Sequence, residues 1–237
     1  MNSSLRAVLF DIDGTLTDSA PLIRTTLAYV MREKSGLDLP ESSYSRFVGP
    51  PLEDTFVELD VPASEVSSYI DKYREYYDVY MDDTPLFPGV ADMLTAVRDS
   101  GLRSATATSK LRRSAKHVCE VTGIASSFDI ICGSEPELGR THKHHVVGTA
   151  ITELEQLGIL DGQNRLPEMP LGTEWFDRPV RTDVVMVGDR NFDTYGAAVH
   201  GIRTILVDWG EGDDAEKKHA WRHVSTVEEL TQLLTSL

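Results

Sequence analysis

Apolar positions divide the chain into short continuous runs and longer periodic segments. Residues 7–10, 102–108, 129–133, 184–187 and 204–207 are apolar-rich runs too short for helices, and they read as strands buried on both faces. Between them the period changes. Val90, Met93, Leu94 and Val97 recur at helical spacing and close at Gly101; Val146, Val147, Ala150, Ile151 and Leu154 do the same and end near Gly158. Strands alternating with helices predict an α/β fold, a Rossmann-like parallel sheet with helices on both faces. Ligands of such sheets bind at the carboxyl ends of the strands.

Residues 19–85 break the alternation with helical patterns and no strand. Leu22, Ile23, Leu27, Val30 and Met31 form one stripe, with Ser19 as its N-cap and Gly36 as its stop. A second stripe is tyrosine-rich, from Val66 through Tyr69, Tyr73 and Tyr77 to Tyr80, and reads as the core of a helical insert. The expected organisation is therefore a core of residues 1–18 and 86–237 with a helical cap at 19–85, hinged near Asp18 and Pro85. A stretch at 160–182, with three prolines and two glycines, reads as a loop or flap.

Composition narrows the partners. A net charge of −15 argues against nucleic acid or an anionic membrane, and no run approaches the ~20 apolar residues of a membrane span. No secretory leader is expected either. Cys119 and Cys132 are too few for a disulfide framework, so a reducing, cytoplasmic setting is predicted.

Four clusters carry chemistry. The first strand ends in Asp11-Ile12-Asp13-Gly14-Thr15, where a turn brings two carboxylates to one mouth and a cation would offset their repulsion. One carboxylate can then attack an electrophile while its neighbour moves a proton. Thr108-Ser109-Lys110 places hydroxyls and backbone N–H groups at a strand-to-helix turn, which suits phosphate oxygens. Lys143 lies just inside a helix start, where the dipole disfavours a cation unless an anion faces it. Gly188-Asp189 through Asp193 delivers two more carboxylates after a buried strand, suited with Asp11 to Mg2+. His142, His144 and His145 cluster without an obvious third partner for a metal, and no metal role is expected of them.

The order of these motifs, DxDGT, Thr/Ser, Lys and GDxxxD, resembles the haloacid dehalogenase-like superfamily in its phosphoglycolate phosphatase-like branch with a helical, C1-type cap. The resemblance spans essentially the whole chain. It implies an Mg2+-dependent phosphatase acting on a small phosphorylated metabolite, with phosphoglycolate or a nucleoside monophosphate as first expectations. Asp11 would be the nucleophile that forms an aspartyl-phosphate, and Asp13 the general acid and base. The metal would be held by Asp11, the Asp13 carbonyl and Asp189; Thr108, Ser109 and Lys143 would bind phosphate, with Asp193 steadying Lys143. The dehalogenases that name the family lack the second carboxylate, because a halide leaves without a proton, so Asp13 favours phosphatase chemistry. In the cap, the 46–52 loop, with Arg46, Gly49 and Pro50, is expected to contact substrate. Lys34 and Lys72, the cap's lysines, are expected at the surface rather than as Schiff-base residues. The alternatives implied are a phosphosugar mutase of the β-phosphoglucomutase kind and a non-catalytic regulatory relative.

Overall fold

The structure is a computed structural model that describes residues 5–169 and 180–237. One parallel sheet runs in the order β3-β2-β1-β4-β5-β6, with β1 Ala7–Phe10, β2 Arg103–Leu111, β3 Ile130–Ser134, β4 Arg181–Gly188, β5 Ile202–Val207 and β6 Arg222–Val224. This is the Rossmann-like α/β core that the alternating pattern predicts. Phe10 stands in register with Thr106 on one side and Val187 on the other. The chain leaves β1 toward β2 and later returns to its other flank as β4, so the strand order switches beside β1 and a crevice opens there.

Pleating divides the core into two layers. Val8 and Phe10 face α4 (Val90–Asp99), α5 (Arg112–Val121) and α8 (Val227–Ser236). Ala7 and Leu9 face α6 (Lys143–Gln156) and α7 (Asn191–Ala198). A strand buried on both sides needs apolar residues at every position, which is why β1 reads as an unbroken run.

Two features of the sheet escape the hydrophobic pattern. Strand β4 begins at Arg181, three residues before the predicted start and inside the 160–182 stretch. Arg181 and Asp183 pair at 2.7 Å with side chains 1% exposed, so a buried ion pair occupies positions that read as loop. Strand β6 is an Arg-His-Val edge with one buried residue, too short to show a period. Of the 160–182 stretch, residues 170–179 lie outside the described residues. Before them, Gly162–Asn164 forms a single 3-10 turn, started by Asp161 accepting from Gln163 N at 2.9 Å.

Residues 20–80 form α1 (Ala20–Ser35), α2 (Leu52–Glu58) and α3 (Val66–Tyr80). They pack around their own apolar cluster, centred on Leu27, Val30, Tyr44, Phe56 and Tyr69, separate from the two sheet layers. Gly36 closes α1 at φ +71°, donating its N–H to the Arg32 carbonyl. Ser19 stands at the N-cap, but its hydroxyl donates to Asp13 Oδ1 at 2.7 Å instead of capping the helix. The tyrosine stripe divides: Tyr69, Tyr73 and Tyr77 are buried, Tyr76 stacks on Tyr29, and Tyr80 is 43% exposed. The two connections to the core run side by side. Asp18 N donates to the Pro85 carbonyl at 2.9 Å, Phe87 N donates to the Leu16 carbonyl at 3.0 Å, and Thr17 bridges Leu86 antiparallel.

Leu94 projects from α4 into the Val8–Phe10 layer and is almost fully buried. Leu94→Ala is expected to lower unfolding free energy by about 2–5 kcal/mol through lost transfer energy and the cavity left behind. Urea denaturation would read this as a lower midpoint at an unchanged slope.

Candidate active site

The turn after β1 is wound around one carbonyl. Asp11 N continues the ladder by donating to the Val187 carbonyl at 2.9 Å. The Ile12 carbonyl then accepts from the N–H groups of Thr15, Leu16 and Thr17 and from the Thr17 hydroxyl. Gly14 takes φ +78° within this turn, and a Cβ there would lie 2.3 Å from Asp189 Oδ2. Glycine thus serves both the turn and the approach of β4's carboxylate to β1.

Lys143 is at the centre of the site. Its ammonium lies 2.9 Å from Asp11 Oδ2 and 2.8 Å from Asp193 Oδ1, and it donates to the Ala107 carbonyl at 3.1 Å. The lysine at the start of α6 is therefore buried among anions, where its sequence context alone would favour solvent. Asp193 is held in turn by the Arg190 N–H, which donates to its Oδ2 at 3.1 Å and starts α7. Burial pushes the Asp11 carboxyl up to about 6 against the pull of Lys143, and Asp193 and Asp13 add to the rise. Lys143 stays above its ordinary value because Asp11 and Asp193 outweigh the cost of its burial.

Asp189 is the carboxylate without a cation. It is 2% exposed, accepts from Glu211 N at 2.9 Å and from the Thr15 hydroxyl at 3.5 Å, and has no ion pair among the described residues. Burial first, then Asp193 and Asp11, raises its carboxyl well above the usual range. Oxygens of Asp11, Asp189 and Asp193 lie within 4.8 Å of one another. A buried, uncompensated carboxylate beside two others fits a divalent cation, whose hard oxygen-ligand preference this donor set meets. Asp193 is the least available of the three, because Lys143 and the Arg190 N–H already engage both of its oxygens.

Asp13 turns toward the cap. Its Oδ1 accepts from Ser19 and forms an ion pair with Lys110 Nζ at 3.2 Å. Lys110 also donates to the Tyr77 hydroxyl of α3 at 2.7 Å, so core and cap meet at this carboxylate. Thr108 is buried inside β2, which runs on to Leu111 rather than turning at 108–110 as expected, and it accepts from Lys110 N at 3.3 Å. The Ser109 hydroxyl beside it is buried without a hydrogen-bond partner, an open donor where the register between β2 and β3 shifts.

Above Asp13 lies a cavity between cap and core with about 740 Å³ of non-protein space, part of it open to solvent. Gly49 and Pro50 line it, as does Ser109. Arg46 does not: its side chain is 65% exposed, pairs with Glu58 at 3.2 Å and lies over the Phe47 ring. The expected substrate contact by Arg46 is corrected on that ground. Its backbone instead helps to fasten the loop, for Arg190 Nη1 donates to the carbonyls of Val48 and Arg46, while the rest of that guanidinium grips Glu216. Arg24 of α1 adds a second tie to Glu211 at 2.8 Å.

Sequence reasoning missed three contributors here: Lys110 as the partner of Asp13, Tyr77 within the apparent apolar stripe, and Arg74 in the cavity wall. Lys110 adjoins Thr108 and Ser109, and tyrosine carries a polar tip that seeks a partner when buried. Those were the available signals.

The histidines pack among themselves, with the rings of His144 and His145 4.0 Å apart. The described acidic and histidine groups close enough to hold a metal include none of them. Lys34 and Lys72 lie on the cap surface, and Lys72 pairs with Glu75 at 3.1 Å. Cys119 and Cys132 are free and buried, and burial pushes both thiols up to about 12. No helix among the described residues is long and apolar enough to cross a membrane.

A buried lysine clamped by carboxylates stands at the mouth of a parallel sheet, with an inserted helical cap above. The family model of the haloacid dehalogenase-like hydrolases matches residues 8–159, and a HAD-hydrolase-like model matches 163–233. The chain belongs to the haloacid dehalogenase-like hydrolases. A predicted phosphatase from Clostridium acetobutylicum is 31% identical with a TM-score of 0.84, covering 99% of this chain and 100% of that one. The pyrophosphatase PpaX of Oceanobacillus iheyensis is 31% identical over 89% of this chain and 86% of its own length. The tyrosine-protein kinase PtkA of Mycobacterium tuberculosis is 30% identical over 98% of this chain and 73% of its own.

Two outcomes follow from the electrostatics. Lys143→Met leaves Asp11 and Asp193 buried without their counter-ion. It is expected to cost about 3–5 kcal/mol of stability at pH 8 in metal-free buffer, with less lost on acidification as the carboxylates take up protons. Guanidinium unfolding at pH 8 and pH 5 checks both magnitude and trend. Burial, and then the other histidines, hold His144 down to about 4. Between that value and the ordinary 6.5 the unfolded chain binds a proton that the folded chain does not. The contribution is therefore full above pH 6.5 and is lost as pH falls toward 4. His144→Gln should flatten the fall in urea midpoint between pH 7.5 and pH 5; a curve parallel to wild type would count against the assignment.

Proposed function

We propose that the protein hydrolyses a small phosphomonoester through an aspartyl-phosphate at Asp11, with Mg2+ as cofactor. The observation that carries this reading is Lys143 holding Asp11 beside the uncompensated Asp189. Asp11, Asp189 and the Asp13 main-chain carbonyl would hold the ion, which when bound offsets negative charge on the phosphoryl group. Asp193 serves chiefly to hold Lys143.

Asp11 Oδ attacks phosphorus, and the bond from phosphorus to the leaving oxygen breaks. Asp13 gives its proton to that departing alkoxide. Asp13 then takes a proton from water as the water oxygen attacks phosphorus, which frees inorganic phosphate and restores Asp11. Lys143 neutralises the incoming phosphoryl oxygens together with the nucleophile, while the Thr108 hydroxyl and Ser109 donate to those oxygens. Ser19 and Lys110 orient Asp13.

Residues 1–18 and 86–237 supply this chemistry, and residues 19–85 act as a lid whose Gly49–Pro50 loop bounds the substrate. The cavity between lid and core opens on Asp13, where a small metabolite would sit. Phosphoglycolate and nucleoside monophosphates are the leading candidates, and the pyrophosphatase relative adds inorganic pyrophosphate. Free, buried cysteines agree with a cytoplasmic setting.

Phosphate release from a panel of monoesters with Mg2+ tests the reading. Asp11→Asn should lower kcat by at least about 10³-fold. Asp13→Asn should lower it by about 10²–10⁴-fold with alkyl esters, and by less with p-nitrophenyl phosphate, whose leaving group needs no proton. Chelation should abolish turnover and Mg2+ restore it. Phosphate that stays on an acceptor or moves along a sugar, with none set free, would replace hydrolysis by transfer or mutase chemistry.

A further inference from the structure

The cavity opens on Asp13, the proton donor to the leaving group, so under the proposed reaction it receives the part of the substrate that departs. Arg74 of α3 forms part of its wall. The Arg74 Nε is sealed from solvent and has no hydrogen-bond partner, and among the described residues its guanidinium makes no ion pair. Other buried or half-buried arginines of the core are fully committed. Arg112 forks onto Glu153, Arg181 onto Asp183, and Arg190 onto Glu216.

A guanidinium that lines a cavity without an ion pair is placed to take an anion from a ligand there. Lys110, the cavity's other cation, is already taken by Asp13 and Tyr77. Glu53 and Asp78 also line the wall, and neither lies within ion-pair distance of Arg74. Arg74 also lines a neighbouring groove together with Arg113 and Lys116, both without an ion pair among the described residues, and with Glu135 and Glu137.

We infer that Arg74 binds a second anionic group on the leaving-group side, so that the enzyme selects phosphate esters or anhydrides whose leaving group carries its own carboxylate or phosphate. This rests on the phosphatase reading for the position of the leaving group. A planar guanidinium fork matches either anion in two parallel hydrogen bonds, which a lysine does not reproduce.

The test compares kcat/KM for 2-phosphoglycolate, inorganic pyrophosphate and ethyl phosphate. The first two carry the second anion as carboxylate and as phosphate, and the third lacks it. Wild type should favour at least one of the two substrates with a second anionic group over ethyl phosphate by about tenfold or more, and the favoured one names the anion. Arg74→Met should collapse that ratio to within about threefold, and Arg74→Lys should restore part of it. A second readout needs no turnover: calorimetric binding of phosphonoacetate against ethylphosphonate to Asp11→Asn, with and without Arg74→Met.

Hydrolysis of all three esters with no preference would overturn the Arg74 assignment and leave the phosphatase reading standing. No hydrolysis, but an Arg74-dependent preference for phosphonoacetate, would remove the phosphatase reading and keep the anion subsite. An unselective enzyme with unselective binding, or a preference that Arg74→Met leaves intact, would overturn the inference.

Discussion

The ammonium of Lys143, sealed between Asp11 and Asp193, is the constraint around which the site is arranged. Taking these ions out of water costs several kcal/mol each, and only close, well-directed pairing offsets that. The pairing joins four elements: the end of β1 through Asp11, β2 through the Ala107 carbonyl, α6 through the lysine itself, and α7 through Asp193. Neighbouring positions yield to it. A Cβ on Gly196 would stand 2.5 Å from Lys143 Cγ, and one on Gly188 would stand 2.1 Å from Asp193 Cγ. Two glycines thus leave space for the ion cluster at the carboxyl ends of the central strands.

The two carboxylates of the first motif have separate electrostatic surroundings. Asp11 is matched with Lys143 deep in the core, and Asp13 with Lys110 at the boundary with the cap. Two residues apart in sequence, they have different cations, contributed by different elements. In the proposed reaction such a division keeps one carboxylate fixed as the nucleophile while the other responds to what enters from the lid side. Asp189, left with neutral donors and two carboxylate neighbours, is where a protein of net charge −15 most needs added positive charge.

How much of this was legible beforehand depended on burial. Strands buried on both faces are apolar throughout, so β1 and the centre of β4 stood out, and the chemical motifs sit at their ends. The start of β4 was hidden because Arg181 and Asp183 neutralise each other inside the protein. In the cap, helical spacing identified the inward face of α3 but not what lies opposite it. Tyr73 therefore reads as core, and so does Tyr77, which reaches Lys110 across the boundary. Arg46 and Arg74 invert for the same reason. The arginine in the glycine-proline loop points to solvent, while the one in a helix full of tyrosines enters the cavity. Contacts between two separately packed units depend on their docking, which local periodicity does not encode.

The paired connections near Asp18 and Pro85 give the insert a particular independence. The chain departs from the core and rejoins it through backbone segments hydrogen-bonded to each other, and the insert's apolar centre is its own. Replacing everything beyond that paired neck would leave the sheet's register and its ion cluster in place. Under the proposed function, selectivity and chemistry are thus separable inheritances in this molecule, open to change at different rates.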